Sequence, residues 1–397
     1  MKPDSLEQVF LPEDGYSGTL IGRAWLPNPP DGGPAGPSVV AFRADGVYDI
    51  SQVTATTAEL CNAADSIARA RTTYKAERVG TLADILANTV VNTPDPTKPY
   101  LLTPIDLQCV KAAGVTFVRS MLERVIEESA KGDPIQAESI REHIIEHIGT
   151  DLSAIVPGSE KAAEVKEALL EAGMWSQYLE VGIGPDAEIF TKCPIMACVG
   201  FGAGVGIHPK STWNNPEPEI VLVVNNQANI VGATLGNDVN LRDFEGRSSL
   251  LLSKAKDNNA SSAIGPFIRL FDESYQLDNV RSCNLSLSIE GGDGFTLIDG
   301  SSLSQISRDI EDLVHQTINE NHQYPDGFVL FTGTMFAPTQ GRQGPGLGFT
   351  HTVGDVVEIS TPKLGTLRNT VHHSCNLPPW TFGVGDLMRN LAARNLI

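Results

Sequence analysis

The stretch Pro216-Glu217-Pro218-Glu219-Ile220-Val221-Leu222-Val223-Val224 reads as the start of a buried strand. Successive side chains on a strand face opposite ways, so Glu217 and Glu219 share one face. Two carboxylates beside an apolar run repel each other unless something neutralises them. A hard divalent cation does so, because Mg2+ and Ca2+ prefer carboxylate oxygens. A second apolar run, Ile230 to Leu235, leads into Gly236-Asn237-Asp238-Val239. The polar segment Asn225 to Asn229 between the runs reads as a hairpin turn, which brings Asp238 near the two glutamates. The competing reading is a single solvated acidic edge strand.

The 397 residues are enough to bury a large core and to make two domains. Hydrophobic residues make up 41% and charged residues 19%, as in an ordinary soluble globular protein. No apolar run is long enough to predict a membrane span, and the first residues lack the apolar core of a secretory signal. A net charge of −19 would repel phosphate backbones, which argues against nucleic acid as a partner. Cys61, Cys109, Cys193, Cys198, Cys283 and Cys375 form no CxxC pair and no zinc spacing, so they read as reduced core thiols of a cytoplasmic protein.

Working outward, Ser38–Arg43 and Gly46–Ile50 predict a strand pair, and Thr57–Ala70 and Thr81–Thr89 predict helices. The proline-rich connection Asn92 to Pro104 predicts a domain boundary, with a small accessory α/β domain before it. The pattern from about Gly114 to Gly149 is helical, with Ser120, Glu123 and Arg124 near one face. Further helices are predicted over Pro134–Ile148 and Lys161–Leu170, and a strand-rich half begins near Gly184. His143-Ile144-Ile145-Glu146-His147 fits the H-x-x-E-H zinc pattern, but Ile144, Ile145 and Ile148 also make it an ordinary amphipathic surface helix, the preferred reading. Gly200 to Gly206 has alternating glycines but matches no nucleotide-binding loop. Lys254 and Lys256 lie among small polar residues close to the acids, where a lysine can bind a substrate carboxylate or move protons; solvated surface lysines are the alternative.

Together these stretches resemble the fumarylacetoacetate hydrolase family. That family shows a Glu-x-Glu strand, an Asn-Asp-Val-x-x-Arg-Asp segment, a lysine loop closing on Gly-Pro, then Thr-Gly-Thr and Gly-Asp-x-Val. Here the corresponding segments are Glu217-Pro218-Glu219, Asn237 to Asp243, Lys256 to Pro266, Thr332 to Thr334, and Gly354 to Val357, in the family's order. Leu102 to Gln108, Trp175 to Glu180, Gly184 to Lys192 and Leu250 to Asn259 look like its 2-keto-3-deoxypentonate dehydratase branch.

The resemblance implies an α/β (α+β) fold. A small N-terminal α/β domain (1–100) would precede a mixed β-roll catalytic domain (101–397) carrying a helical lid at about 114–149. It implies Mg2+, with Mn2+ or Ca2+ as substitutes, on Glu217, Glu219 and Asp238. It implies Lys256 as the catalytic lysine, with Lys254 as its competitor, Arg242 on the substrate side, and Thr334 near the substrate carboxylate. The family's lid His-Glu pair has no match. The lid offers Thr116, Ser120 and Glu123 instead, leaving Ser120 as a substrate contact and Glu123 as the acid/base candidate. A solvated carboxylate paired with a neighbouring arginine is the other reading of Glu123. The implied activity is Mg2+-dependent dehydration of 2-keto-3-deoxy-D-pentonate (D-xylonate or D-arabinonate) to 2-oxoglutarate semialdehyde, by a cytoplasmic homo-oligomer whose partner is a small 2-keto acid. The alternatives are a C–C bond hydrolase of 2,4-dioxo acids and a non-catalytic keto-acid-binding protein.

Overall fold

The computed structural model of the chain describes residues 3–91, 93–131, 133, 135–137, 155–171, 173, 175–336, 340–342 and 348–397. The His143–His147 motif, and the predicted Pro134–Ile148 helix beyond residue 137, lie outside these residues.

The strands in chain order are β1 (Thr19–Leu26), β2 (Gly36–Arg43), β3 (Gly46–Asp49), β4 (Glu77–Gly80), β5 (Tyr100–Leu101), β6 (Cys109–Gly114), β7 (Glu188–Cys193) and β8 (Gly204–Ile207). They continue with β9 (Pro218–Val224), β10 (Ile230–Asp238), β11 (Ser262–Leu270), β12 (Asn284–Glu290), β13 (Thr296–Ser302), β14 (Phe328–Phe331), β15 (Val356–Thr361) and β16 (Gly365–His373). One 11-stranded sheet runs β4-β3-β2-β1-β11-β10-β9-β14-β6-β7, with β5 paired to β1. A five-stranded sheet runs β13-β12-β15-β16-β8. Both are mixed: β14 is parallel to β6 and β16 is parallel to β8, while the other pairs are antiparallel. Phe267, Leu222 and Leu235 of the large sheet share one core with Leu287, Ile359 and Leu367 of the small one.

The expected hairpins form. Asn225 closes the β9–β10 turn, its N–H donating to Asn229 O at 3.0 Å. Its side-chain oxygen accepts from the Gln227 and Asn229 N–H groups. The predicted Thr57–Ala70 helix is instead two, Thr57–Asn62 and Ser66–Arg71, because the chain turns extended at Ala63. The helical pattern from Gly114 begins later, at Val118, because Cys109–Gly114 is strand β6. β9 is buried at every position and lies between β10 and β14, which excludes the solvated edge strand. β1, before the expected boundary near residue 100, pairs directly with β11 beyond it.

The hairpin that carries the acids depends on Gly236, opposite Glu219. A Cβ there would lie 2.3 Å from the Phe331 ring and 2.5 Å from Val221 Cγ2. Gly236→Ala is therefore expected to lower stability by roughly 1–3 kcal/mol through overpacking, read as a lower urea midpoint at unchanged m-value.

Candidate active site

The β9–β10 pairing places Asp238 beside Glu217, whose carbonyl accepts the Asp238 N–H at 3.0 Å. Glu217, Glu219 and Asp238 are 4%, 2% and 1% exposed. Each offers a carboxylate oxygen within 4.8 Å of the others. Glu219 also accepts the Gly333 N–H at 2.6 Å. Gly333 is the centre of Thr332-Gly333-Thr334 and takes φ +89°. A side chain there would strike Thr116 Oγ1, which donates to Thr332 O at 2.7 Å. That turn is thereby pinned to β9 on one side and to the segment before the Val118–Ser129 helix on the other.

Cations surround the cluster. Lys256, at the end of the Leu252–Lys256 helix, donates to Glu217 Oε2 at 2.5 Å and to Asp238 Oδ2 at 3.1 Å. Lys254 is exposed and packs its ammonium over Phe244, so Lys256 is the lysine that reaches the acids. Arg124 pairs with Glu217, with Glu127 at 2.8 Å and with Glu245 at 3.0 Å. Lys192, fully buried, lies 3.2 Å from Asp238 Oδ1 and donates to the carbonyls of Lys256 and Ser261. The β6–β7 register slips at this point, so Lys192 is the extra residue of a β-bulge, a device that re-aims a side chain.

The charges do not balance locally. Burial, with repulsion from Asp238 and Glu217, pushes the Glu219 carboxyl well above the usual carboxylate range. Burial also raises Asp238 despite Lys256 and Lys192. For Glu217 the burial penalty is outweighed by Lys256 and Arg124, which hold it below its ordinary value. Three buried carboxylates, one of them strongly disfavoured as an anion, are a hard-oxygen donor set that fits Mg2+.

A cleft next to the acids is lined by Ser120, Glu123, Glu217, Arg242 and Thr334, which the sequence singles out, while Glu219, Asp238 and Lys256 do not line it. Arg124, Glu127 and Asn215 also line it. Glu123 is 8% exposed and 3.7 Å from Arg242, so it is a buried carboxylate beside an arginine rather than a solvated one. Arg242 is 2% exposed, pairs with Glu127, and stacks over Trp213 at 4.4 Å. Its Nε and Nη1 have no hydrogen-bond partner among the described residues. Burial lowers its pKa to about 9.

Glu127 falls on the helix face of Ser120, Glu123 and Arg124, so i, i+4 spacing could have found it. Lys192, Glu188 and Glu245 carried no signal, because only tertiary packing brings them here. Glu188 starts β7 opposite Gly114, where a Cβ would lie 2.0 Å from its carboxylate. Burial, then repulsion from Glu245, raises its pKa to about 7. Because the folded value exceeds the unfolded one, the native state holds the extra proton, and stability falls as pH rises from about 4.5 through 7. In chelator-treated protein, Glu188→Gln is expected to remove this loss, at most about 3 kcal/mol, read as a flatter dependence of Tm on pH.

The family profile described as fumarylacetoacetate (FAA) hydrolase C-terminal matches residues 166–372. A 2-dehydro-3-deoxy-D-arabinonate dehydratase of Saccharolobus solfataricus is 34% identical over 185 residues, 46% of this chain and 58% of that protein. A Haloferax volcanii protein described as "Probable 2-keto-3-deoxyxylonate dehydratase" is 30% identical over 201 residues, 51% of this chain and 65% of that protein. The chain thus spans less than two thirds of the length of each curated relative. Among solved structures, a 2-keto-3-deoxy-D-arabinonate dehydratase complexed with magnesium and 2,5-dioxopentanoate superposes with a TM-score of 0.58 at 20% identity, covering 89% of this chain and 99% of that one. Its apo form gives 0.57 at 21%, with the same coverage.

Proposed function

The chain belongs to the fumarylacetoacetate hydrolase family, and on that premise we propose that it is a Mg2+-dependent dehydratase of 2-keto-3-deoxy-D-pentonate, forming 2-oxoglutarate semialdehyde in oxidative pentose degradation. The observation that carries the reading is the juxtaposition of the buried Glu217-Glu219-Asp238 cluster with a cleft holding Arg242, whose Nε and Nη1 have no hydrogen-bond partner among the described residues. Both curated relatives are described as dehydratases of such substrates, which supports the same choice.

Held by Glu217, Glu219 and Asp238, Mg2+ (or Mn2+ or Ca2+ in its place) would supply Lewis acidity to the 2-keto acid and so acidify C3. Arg242 offers Nε and Nη1 to an anionic or hydroxyl oxygen of the substrate, with Thr334 and Ser120 on the same wall. Lys256 places its ammonium at the edge of the acids, where it holds negative charge developing beside C3 or exchanges a proton there. Glu123 faces the cleft from the lid side and is the carboxyl we assign to proton transfer at C3 or to the departing C4 hydroxyl. Phe336 and the Val118–Ser129 helix also line this space. The free thiols of all six cysteines support a reducing, cytoplasmic setting. Exposed Trp380 and Met388 near the C-terminus support a homo-oligomer.

The family match also favours a second reading, C–C hydrolysis of a 2,4-dioxo acid. It requires a group that activates water, and no histidine lines the cleft among the described residues. Purified protein with 2-keto-3-deoxy-D-xylonate and Mg2+, with and without chelator, separates the two by product mass. Chelator-sensitive loss of one water to a five-carbon aldehyde supports dehydration. Pyruvate with a two-carbon fragment overturns it in favour of C–C cleavage, and metal binding without turnover of any 2-keto-3-deoxy sugar acid favours a binding protein.

A further inference from the structure

Cys193 and Cys198 flank a turn closed by the Ala197 N–H on Pro194 O at 3.2 Å, with Met196 at φ +67°. The turn folds the two thiols onto each other, Sγ to Sγ 3.4 Å, at 3% and 7% exposure. Cys198 Sγ is also 3.4 Å from Ser262 Oγ. The pair sits directly behind the acidic cluster: Cys193 follows Lys192, which contacts Asp238, and Ser262 is the β11 partner of Asp238.

We propose that Cys193 and Cys198 are an oxidation site, converted by a hydroperoxide into an intramolecular disulfide whose formation disturbs the carboxylate cluster through Lys192 and Ser262. The second half of this proposal rests on the Mg2+ reading above. Two thiols in contact need only a small approach to bond, since a disulfide is about 2 Å long. Their environments also divide the roles. The contact with Cys193, helped by Ser262 and the Lys192 charge, holds Cys198 below its ordinary value. The same contact, with burial, holds Cys193 well above its own. A thiolate-prone sulfur next to a resolving thiol is the arrangement that oxidises reversibly.

The step balances. Cys198 gives up its thiol proton as its sulfur attacks one peroxide oxygen, the O–O bond breaks, and the leaving hydroxide takes that proton to become water. Cys198 is then a sulfenic acid. The Cys193 sulfur attacks it, the S–O bond breaks, and the second water leaves with the Cys193 proton. Two thiols and one hydrogen peroxide become one disulfide and two waters.

The test exposes the full-length reduced protein to hydrogen peroxide, then unfolds it, alkylates free thiols and maps peptides. A peptide spanning 193–198 lighter by two hydrogens, from monomeric chain, is expected. Cys193→Ser should instead trap the Cys198 sulfenic acid as a dimedone adduct. Mg2+ affinity, read by calorimetry, is expected to fall roughly tenfold or more on oxidation and to return with dithiothreitol. If both thiols remain fully alkylatable while exposed Cys375 is oxidised, the site is overturned. A disulfide that leaves Mg2+ affinity unchanged overturns the link to the carboxylates. A reduced protein that binds no Mg2+ overturns the metal reading and the link with it, while the peptide map still decides the disulfide.

Discussion

Glu219→Gln is expected to remove Mg2+-dependent turnover while leaving the metal-free protein as stable as before, or more so. The two effects have one cause. Glu219 is the carboxylate that burial and its two acidic neighbours disfavour most as an anion. A neutral amide in its place still accepts the Gly333 N–H and relieves the repulsion. The same change deletes one of the hard oxygens available to a divalent cation. The expected loss is roughly 100-fold or more in Mg2+ affinity and roughly 10^3-fold in kcat at fixed Mg2+. Mg2+ is expected to stabilise the native protein by about 2.7 kcal/mol at 100 times Kd, and the variant at the same Mg2+ by no more than about 0.4 kcal/mol. Unchanged Mg2+ affinity in Glu219→Gln would show that Glu219 is no ligand.

Arg242→Met is expected to damage stability and catalysis together, and a second substitution separates them. Arg242 is buried between Glu127 and Glu123, so its removal takes a counter-charge from both and leaves Glu127 with Arg124 alone, a cost of about 3–5 kcal/mol. It also removes from the cleft the Nε and Nη1 donors, unpartnered among the described residues, with an expected fall in kcat/KM of roughly 10^2–10^3-fold. Adding Glu127→Gln to Arg242→Met should restore part of the stability, read by urea denaturation, and little of kcat/KM. If kcat/KM returns with stability, Arg242 is a structural residue and the substrate oxygen is held elsewhere. Arg242→Lys should not rescue, because a single ammonium cannot reproduce the fork that pairs with Glu127 and still presents two free N–H groups.

The Gly-Asp-x-Val segment contributes none of the three clustered acids. Asp355 accepts from Arg342 at 2.6 and 2.8 Å and from the Thr352 N–H, and lies against the buried His351 ring. These contacts anchor the start of β15, and Thr350 in turn receives the Asn214 N–H, just before the acidic strand. The motif is therefore a brace for the segment that enters β9.

Legibility followed range along the chain. Glu217, Glu219 and Asp238 could be read because they lie within one hairpin, where a two-residue period and a turn of Asn225 to Asn229 determine which side chains meet. Arg242 and Lys256 could be read because they follow the same hairpin in the sequence, four and eighteen residues after Asp238, and match a family pattern. The helix face of Ser120, Glu123 and Arg124 was visible in its spacing, but its destination was not. The break in the predicted Thr57–Ala70 helix was missed because apolar spacing alone does not mark where Ala63 turns extended.

By itself, the sequence determined the acidic hairpin, the order of the family's segments and the face of the helix that would supply the cleft, all through local periodicity. Only the tertiary structure decided that β9 is a central, fully buried strand and that Lys256 rather than Lys254 reaches the acids. It alone brought Arg124, Glu127, Glu245, Lys192 and Glu188 around them. The physical reason is that burial and electrostatic environment belong to the packed assembly. A carboxylate's desolvation, and the charges that face it, come from β6, β7, β14 and the Val118–Ser129 helix, which meet β9 only once the chain has folded.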